Sequence, residues 1–317
     1  MAGLLPRRAG FSLLSLLLVS ACLFMLTRAI PDSPARIVLG IDATQSQVAA
    51  FEHDHGLDRP VIVQYALWIG AIVTGGDLGI SFITGRSVSG EIARTLPVTL
   101  ELVVIAFALA CVVSLIAGTA SALLRDTVVD HGIRLVAVLG VSVPGFWLAL
   151  LLIYFFAVEQ EWFPPGDVTP LSAGLGLHLN SIVLPTFCLG IFYTAVLSRM
   201  TRSSLLDVLG LDYMRTARAT GLARGTVLVY ALRNALVPVV TIAGMSFGYM
   251  FGLALIIETV FNINGLSHTL LTAIQQRDFA LVQGVVMVFT LIFTLANLAA
   301  DLTNAWLNPR IAAAATR

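Results

Sequence analysis

The sequence contains no lysine; all 18 of its basic residues are arginine. A Walker A loop ends in Gly-Lys-Ser or Gly-Lys-Thr because an ammonium group must reach the β- and γ-phosphates. ATP hydrolysis by that route is therefore excluded. Charge is scarce as well, at 11% of residues against roughly a quarter in an ordinary soluble domain. The charges also balance, 18 acidic to 18 basic, so nothing draws the chain to nucleic acid. Only three cysteines occur, and Cys22, Cys111 and Cys188 each lie in an apolar run without a partner at metal-ligand or disulfide spacing. They read as small buried hydrophobes. No His-Glu-x-x-His motif and no paired aspartates occur in the apolar runs, and His178 alone reads as an interfacial histidine, so an intramembrane enzyme lacks its usual ligands or acids.

What the chain has in abundance is apolar residues, 58% of the total, with a mean hydropathy of +0.93. They gather into long runs, which makes the bilayer the expected solvent and one all-α helical bundle the expected fold. A membrane-crossing helix needs about 20 apolar residues. Six stretches meet or approach that length: Ala9–Ile30, Leu96–Leu124, Ile133–Val158, Leu177–Leu197, Leu236–Ile257 and Leu281–Leu307. The fourth is the weakest, diluted by His178, Asn180 and Pro185. Arg7-Arg8, an apolar core and Val19-Ser20-Ala21-Cys22 resemble a lipoprotein signal, but the run continues through Leu23-Phe24-Met25-Leu26. A retained first span is the better reading.

Arginine placement gives an orientation. With Arg7 and Arg8 inside, the inner loops hold Arg125 and Arg134, then Arg199, Arg202, Arg215, Arg218, Arg224 and Arg233. The outer loop Glu159–Gly176 holds none, and Thr259–Ala280 holds only Arg277. This is the positive-inside pattern, and it puts both termini in the cytoplasm.

Residues 31–94 form an extracytoplasmic segment in this scheme. Within it Val61, Tyr65, Trp68, Ile69 and Ile72 recur at helical spacing, with Trp68 suited to the membrane interface. A surface helix and a docking element for an outside partner are both compatible with that stripe. The inner loop 203–235 is more specific. Asp212 to Gly221 reads as a short helix with an acid in its first turn, Arg215 and Arg218 toward its end and glycine at its stop. A second helical piece, Arg224 to Leu236, leads to Pro238. A bare connection needs only a few residues; an ordered insertion of this size points to a contact surface.

Inside the spans, Gly244, Gly248 and Gly252 share one face of the fifth, which suits close helix packing within the chain or a face on a pathway. Pro144, in Ser142-Val143-Pro144-Gly145, predicts a kink in the third, for a gate or for curvature alone. Glu101, Glu258 and Asp301 lie near span ends, where anchoring or hydrogen bonding to helix ends competes with substrate contact.

Thr216-Ala217-Arg218-Ala219-Thr220-Gly221 followed by Arg233-Asn234-Ala235-Leu236-Val237-Pro238 closely resembles the Glu-Ala-Ala loop of binding-protein-dependent ABC importer permeases. More narrowly, the chain is similar to the first permease subunit of the oligopeptide, dipeptide and nickel branch. The likeness extends through Gly56-Leu57-Asp58-Arg59-Pro60, Gly76-Asp77-Leu78-Gly79, Leu96-Pro97-Val98-Thr99-Leu100, Glu258-Thr259-Val260-Phe261, Arg277-Asp278-Phe279 and Asn308-Pro309-Arg310-Ile311. Asp212 stands where the loop's namesake glutamate often lies, and Asn262-Ile263-Asn264 replaces a segment that usually carries Trp and Pro.

The resemblance implies a type I importer permease in the bacterial inner membrane, with about six spans. It divides the chain into a first span, 1–30, the outer segment, 31–94, a core permease domain, 95–307, and a cytoplasmic tail, 308–317. In that family the loop is a coupling helix seated on a separate ATPase, which carries over to Asp212, Arg215, Ala217, Arg218 and Gly221. The expected partners are a second, homologous permease subunit, two ATPase subunits or paired ATPase domains that bind ATP and Mg, and an external binding protein. The cargo implied is a di- or oligopeptide, with nickel chelates or another small solute as the alternative; no cofactor is expected in this chain. A secondary transporter is the rival class, but it calls for repeated halves and midplane ion ligands, and the Gly-Pro features here do not pair.

Overall fold

In the computed structural model, residues 4–29, 34–40 and 42–307 are described, with side chains from residue 10 onward. Asn308-Pro309-Arg310-Ile311 and the rest of the tail lie outside the described residues. Twelve α-helices follow one another among those described. They are α1 (Leu4–Ala29), α2 (Pro34–Leu39), α3 (Gln45–Asp54), α4 (Val61–Gly75), α5 (Val88–Leu123) and α6 (Val128–Ser142), then α7 (Gly145–Leu152), α8 (Leu175–Leu209), α9 (Asp212–Ala219), α10 (Arg224–Val260), α11 (Leu266–Gln275) and α12 (Phe279–Leu307). Pairing between extended segments is limited, among the described residues, to one bridge, Ile80 to Ser87. Among the described residues, five helices are long and apolar enough to cross a membrane, or six if the bent pair formed by 128–142 and 145–159 is one span.

The chain divides into two compact units. Among the described residues, the first comprises 4–8, 99–263 and 292–307. Its centre is α8, whose most apolar stretch is 67% buried, against 33% or less in the other four long helices. As the dilution at His178 and Asn180 implies, α8 is the least apolar of the five long helices, and protein supplies the partners of these polar residues. His178 Nε2 lies 2.6 Å from Glu101 Oε1 and its Nδ1 2.6 Å from the Thr169 carbonyl, while the Asn180 amide donates to the Trp162 carbonyl at 3.2 Å. Close helix approach is built from small residues: a Cβ at Gly118 on α5 would lie 2.6 Å from Thr201 Cβ and 2.7 Å from the Ser198 carbonyl of α8.

Two sequence expectations need correction here. The piece 224–236 and the fifth span are one continuous 37-residue helix, α10, with Pro238 inside it. Proline is tolerated within long membrane helices when neighbours satisfy nearby carbonyls, and the Ser204 hydroxyl donates to the Ala235 carbonyl at 2.7 Å. The kink expected at Pro144 is instead a 101° break. Proline pushes its predecessor out of the helical region, and Val143 is extended at φ −82°, ψ 122°. Beyond it α7 runs into a π-helical stretch, Ile153–Glu159.

The second unit comprises 9–98 and 264–291. Its core gathers Val88, Ile92, Leu266, Ala273, Leu281 and Val285. Buried Asp278 receives the Ser81 hydroxyl and the Leu281 backbone amide, which closes the start of α12. Thr44 opens α3 with a capping box through Gln47. The stripe on α4 packs on α1: Tyr65 and Trp68 stand with ring centroids 5.5 and 5.6 Å from Phe24, and Tyr65 bonds the Ser20 hydroxyl at 2.7 Å. Cys22, expected to be buried, is exposed on α1, while Cys111 is half-buried and Cys188 buried; all three are free.

Candidate functional site

Between α8 and α10 the chain makes a compact excursion. Leu211, with extended φ −71° and ψ 150°, starts α9 without a side-chain cap, and Thr220 ends it. Gly221 then takes φ +79°, a left-handed conformation that side chains with a Cβ resist. This permits the reversal into α10.

One residue roots the excursion. Met214 is fully buried among Ala122 of α5, Leu205 of α8 and Val227, Ala231 and Ala235 of α10. Sequence reasoning did not single it out, although Met214 and, three residues on, Ala217 are the apolar positions that share the less exposed side of this short helix. Arg218 secures the same arrangement by donating from Nη2 to the Leu209 carbonyl at 3.2 Å, as a cation near a helix C-terminus often does. The Asn234 amide reaches the Tyr213 hydroxyl at 3.2 Å.

The remaining surface is open. Asp212 and Arg215 pair at 3.2 Å with side chains 94% and 73% exposed, so the bridge itself contributes little and both charges stay available. Ala217 is half-buried and Gly221 exposed. Leu211, Tyr213 and Leu222 add exposed apolar and aromatic area. A short polar helix is thus held rigidly at its base and presents charge, aromatic surface and backbone to whatever lies beyond it.

The residues expected on a pathway fall differently. Gly244 and Gly248 meet α12 closely: a Cβ at Gly244 would stand 2.5 Å from Ala300 Cβ, and one at Gly248 1.9 Å from Phe293 Cδ2. Gly252 has nothing within 4 Å, so the three-glycine face packs at two positions and is open at the third. Gly244 also borders an apolar cavity of about 400 Å³ with Phe107, Cys111, Phe247 and Thr303. Pro144 sits at the helix break. Glu258, expected near an interface, is fully buried, and the Thr99 hydroxyl donates to its carboxylate at 2.5 Å. Asp301 is half-buried on α12.

In the second unit a cavity of about 370 Å³ is bordered by Arg28, His53, Arg59, Trp68 and Phe82. His53 Nδ1 lies 2.8 Å from Asp58 Oδ2. That bond raises the imidazole pKa above its ordinary value and lowers the carboxyl's.

A helical membrane bundle with a rooted, exposed loop helix is the framework of a transport permease, and the family comparison identifies which kind. Residues 112–313 match the binding-protein-dependent transport system inner membrane component, and residues 1–103 match the N-terminal part of a binding-protein-dependent transport system membrane component. The chain belongs to this family of ABC importer permeases. A Brucella abortus (strain 2308) protein carrying the name peptide transport system permease is 38% identical over 313 residues, 98% of this chain and 99% of that one. The glutathione transport system permease protein of Escherichia coli (strain K12) is 37% identical over 298 residues, 94% of each chain. A solved amino acid ABC transporter aligns with 68% of this chain and 94% of its own, at TM-score 0.49 and 15% identity.

Proposed function

We propose that this chain forms half of a translocation pathway for short peptides and receives ATP-driven motion through α9. The observation that carries the proposal is the geometry of α9: an exposed helix, rooted at Met214, between helices of 35 and 37 residues. A stiff element anchored in two long helices converts a push at its surface into rigid-body movement. On this reading α9 faces the cytoplasm with both termini, and Asp212, Arg215, Ala217, Arg218 and Gly221 form or shape its contact with an ATPase subunit. ATP and Mg are bound there, by partner chains. A second, homologous permease completes the pathway, and a binding protein delivers cargo to the outer segment 31–94, where the cavity beside Arg28 and Arg59 lies. The core domain is 95–307, and Gly244, Pro144 and Glu258 belong to its moving parts. Peptides are favoured as cargo by the relatives, one bearing a peptide and another a glutathione transport name.

Co-purification tests the reading. The tagged chain, expressed with its partner subunits, is expected to retain an ATPase. Gly221→Val, which forces a β-branched residue into the left-handed region, is expected to insert normally and lose about tenfold of that association. Undiminished association would remove the docking role from α9. Mass spectrometry of the small molecule held by the external subunit of the complex is expected to find a short peptide; a metal chelate there would overturn the peptide assignment.

A further inference from the structure

A carboxylate removed from water must be paired and fully hydrogen-bonded to persist. Asp130, in the first turn of α6, has no exposed side-chain surface. Four donors meet it. Arg202 of α8 grips it at two points, Nε to Oδ1 and Nη2 to Oδ2, both at 2.8 Å. The Ser121 hydroxyl on α5 donates to Oδ1, and the Asp126 backbone amide to Oδ2 at 3.1 Å. The donors thus come from two other helices and the intervening turn, and they converge on one residue of α6.

The neighbours of these donors are the residues that root α9. Ala122, next to Ser121, and Leu205, three residues beyond Arg202, both pack on Met214. Thr201 and Ser198, just before Arg202, are the α8 residues against which Gly118 of α5 fits. The inner ends of α5, α8 and α10 therefore share one apolar cluster with α9. α6 contributes no residue to that cluster; its first turn is tied to it through Asp130.

We propose that the Asp130–Arg202 pair is the joint through which displacement of α9 reaches α6 and, past the break at Pro144, α7. A bidentate grip fixes direction as well as distance, which a joint that transmits rotation requires and a simple brace does not. Asp130 and Arg202 are positioning residues in this role: neither touches cargo or nucleotide. The proposal rests on the reading that α9 receives the ATPase.

The test uses the assembled complex in proteoliposomes with its ATPase and binding protein. Asp130→Asn combined with Arg202→Gln leaves no unpaired buried charge. Arg202→Lys keeps the charge and gives up the two-point grip. Association with the ATPase, basal ATP hydrolysis and peptide uptake are measured per assembled complex. Both variants are expected to keep the ATPase and basal hydrolysis, while uptake per ATP falls about tenfold in the double variant and severalfold in the lysine variant. A pair that serves only to hold the fold would reduce the yield of complex and leave uptake per ATP at the wild-type ratio, and that result in both variants overturns the joint. Failure of the wild-type chain to retain an ATPase would instead overturn the α9 reading, and the joint with it.

Discussion

Gly248 and Gly252 share a face of one helix and the same chemistry, yet the packing around them sets opposite tolerances. A methyl group at Gly248 would stand 1.9 Å from the Phe293 ring, which itself lies against Tyr249, whereas one at Gly252 meets nothing. Gly248→Ala is expected to cost about 1–3 kcal/mol by overpacking. Gly252→Ala is expected to be neutral or to stabilise by up to about 1 kcal/mol through helix propensity. Thermal unfolding of the purified complex, followed by size exclusion, reads both. Equal losses at the two sites would contradict this packing. Residue spacing made the shared face legible, but it carries no information on which helix lies opposite. The same limit explains Glu101 and His178, noted separately along the chain and found 2.6 Å apart across 77 positions. Pairing at that separation is decided by tertiary packing, to which local periodicity is blind.

At the scale of elements, α9 was legible in kind because its signals are local: an acid in the first turn, basic residues late, glycine at the stop. Its anchoring was not, because Met214 is held by three other helices, α5, α8 and α10, the first of them about ninety positions away in sequence. Met214→Ala is expected to loosen the root, with a cost about 2 kcal/mol or more, as for other buried large-to-small changes. Membrane insertion depends on the apolar spans and should persist, whereas segment 210–223 should become more sensitive to limited proteolysis and ATPase association should fall. Wild-type protease resistance would mean that Arg218 and the helix ends hold α9 without the methionine. The lengths of α8 and α10 were underestimated for a related reason. Hydropathy marks where lipid begins, but both helices continue into protein-packed ends where polar residues are satisfied by partners. The break at Pro144 was legible as a position, and its 101° angle was not, since proline fixes the residue before it and the direction of restart belongs to the packing.

At the scale of the whole molecule, sidedness turns on that same break. The arms 128–142 and 145–159 are each 15 residues long, about 22 Å at helical rise, and a hydrocarbon core of about 30 Å is more than either reaches alone. Together they cross once or return to the side they came from, and the choice inverts everything downstream. A single crossing puts Arg199, Arg202, Arg215, Arg218, Arg224 and Arg233 on the same side as Arg125 and leaves the arginine-free stretch 159–176 opposite. A re-entrant turn would place that cluster outside, against the charge bias that orients membrane proteins. A reporter fused after Asp167 is therefore expected to read as external and one after Leu222 as cytoplasmic. The reverse pair of readings would make 128–159 a re-entrant loop, and α9, with Arg215 and Arg218 on the far side from any cytoplasmic ATPase, could not be its docking surface.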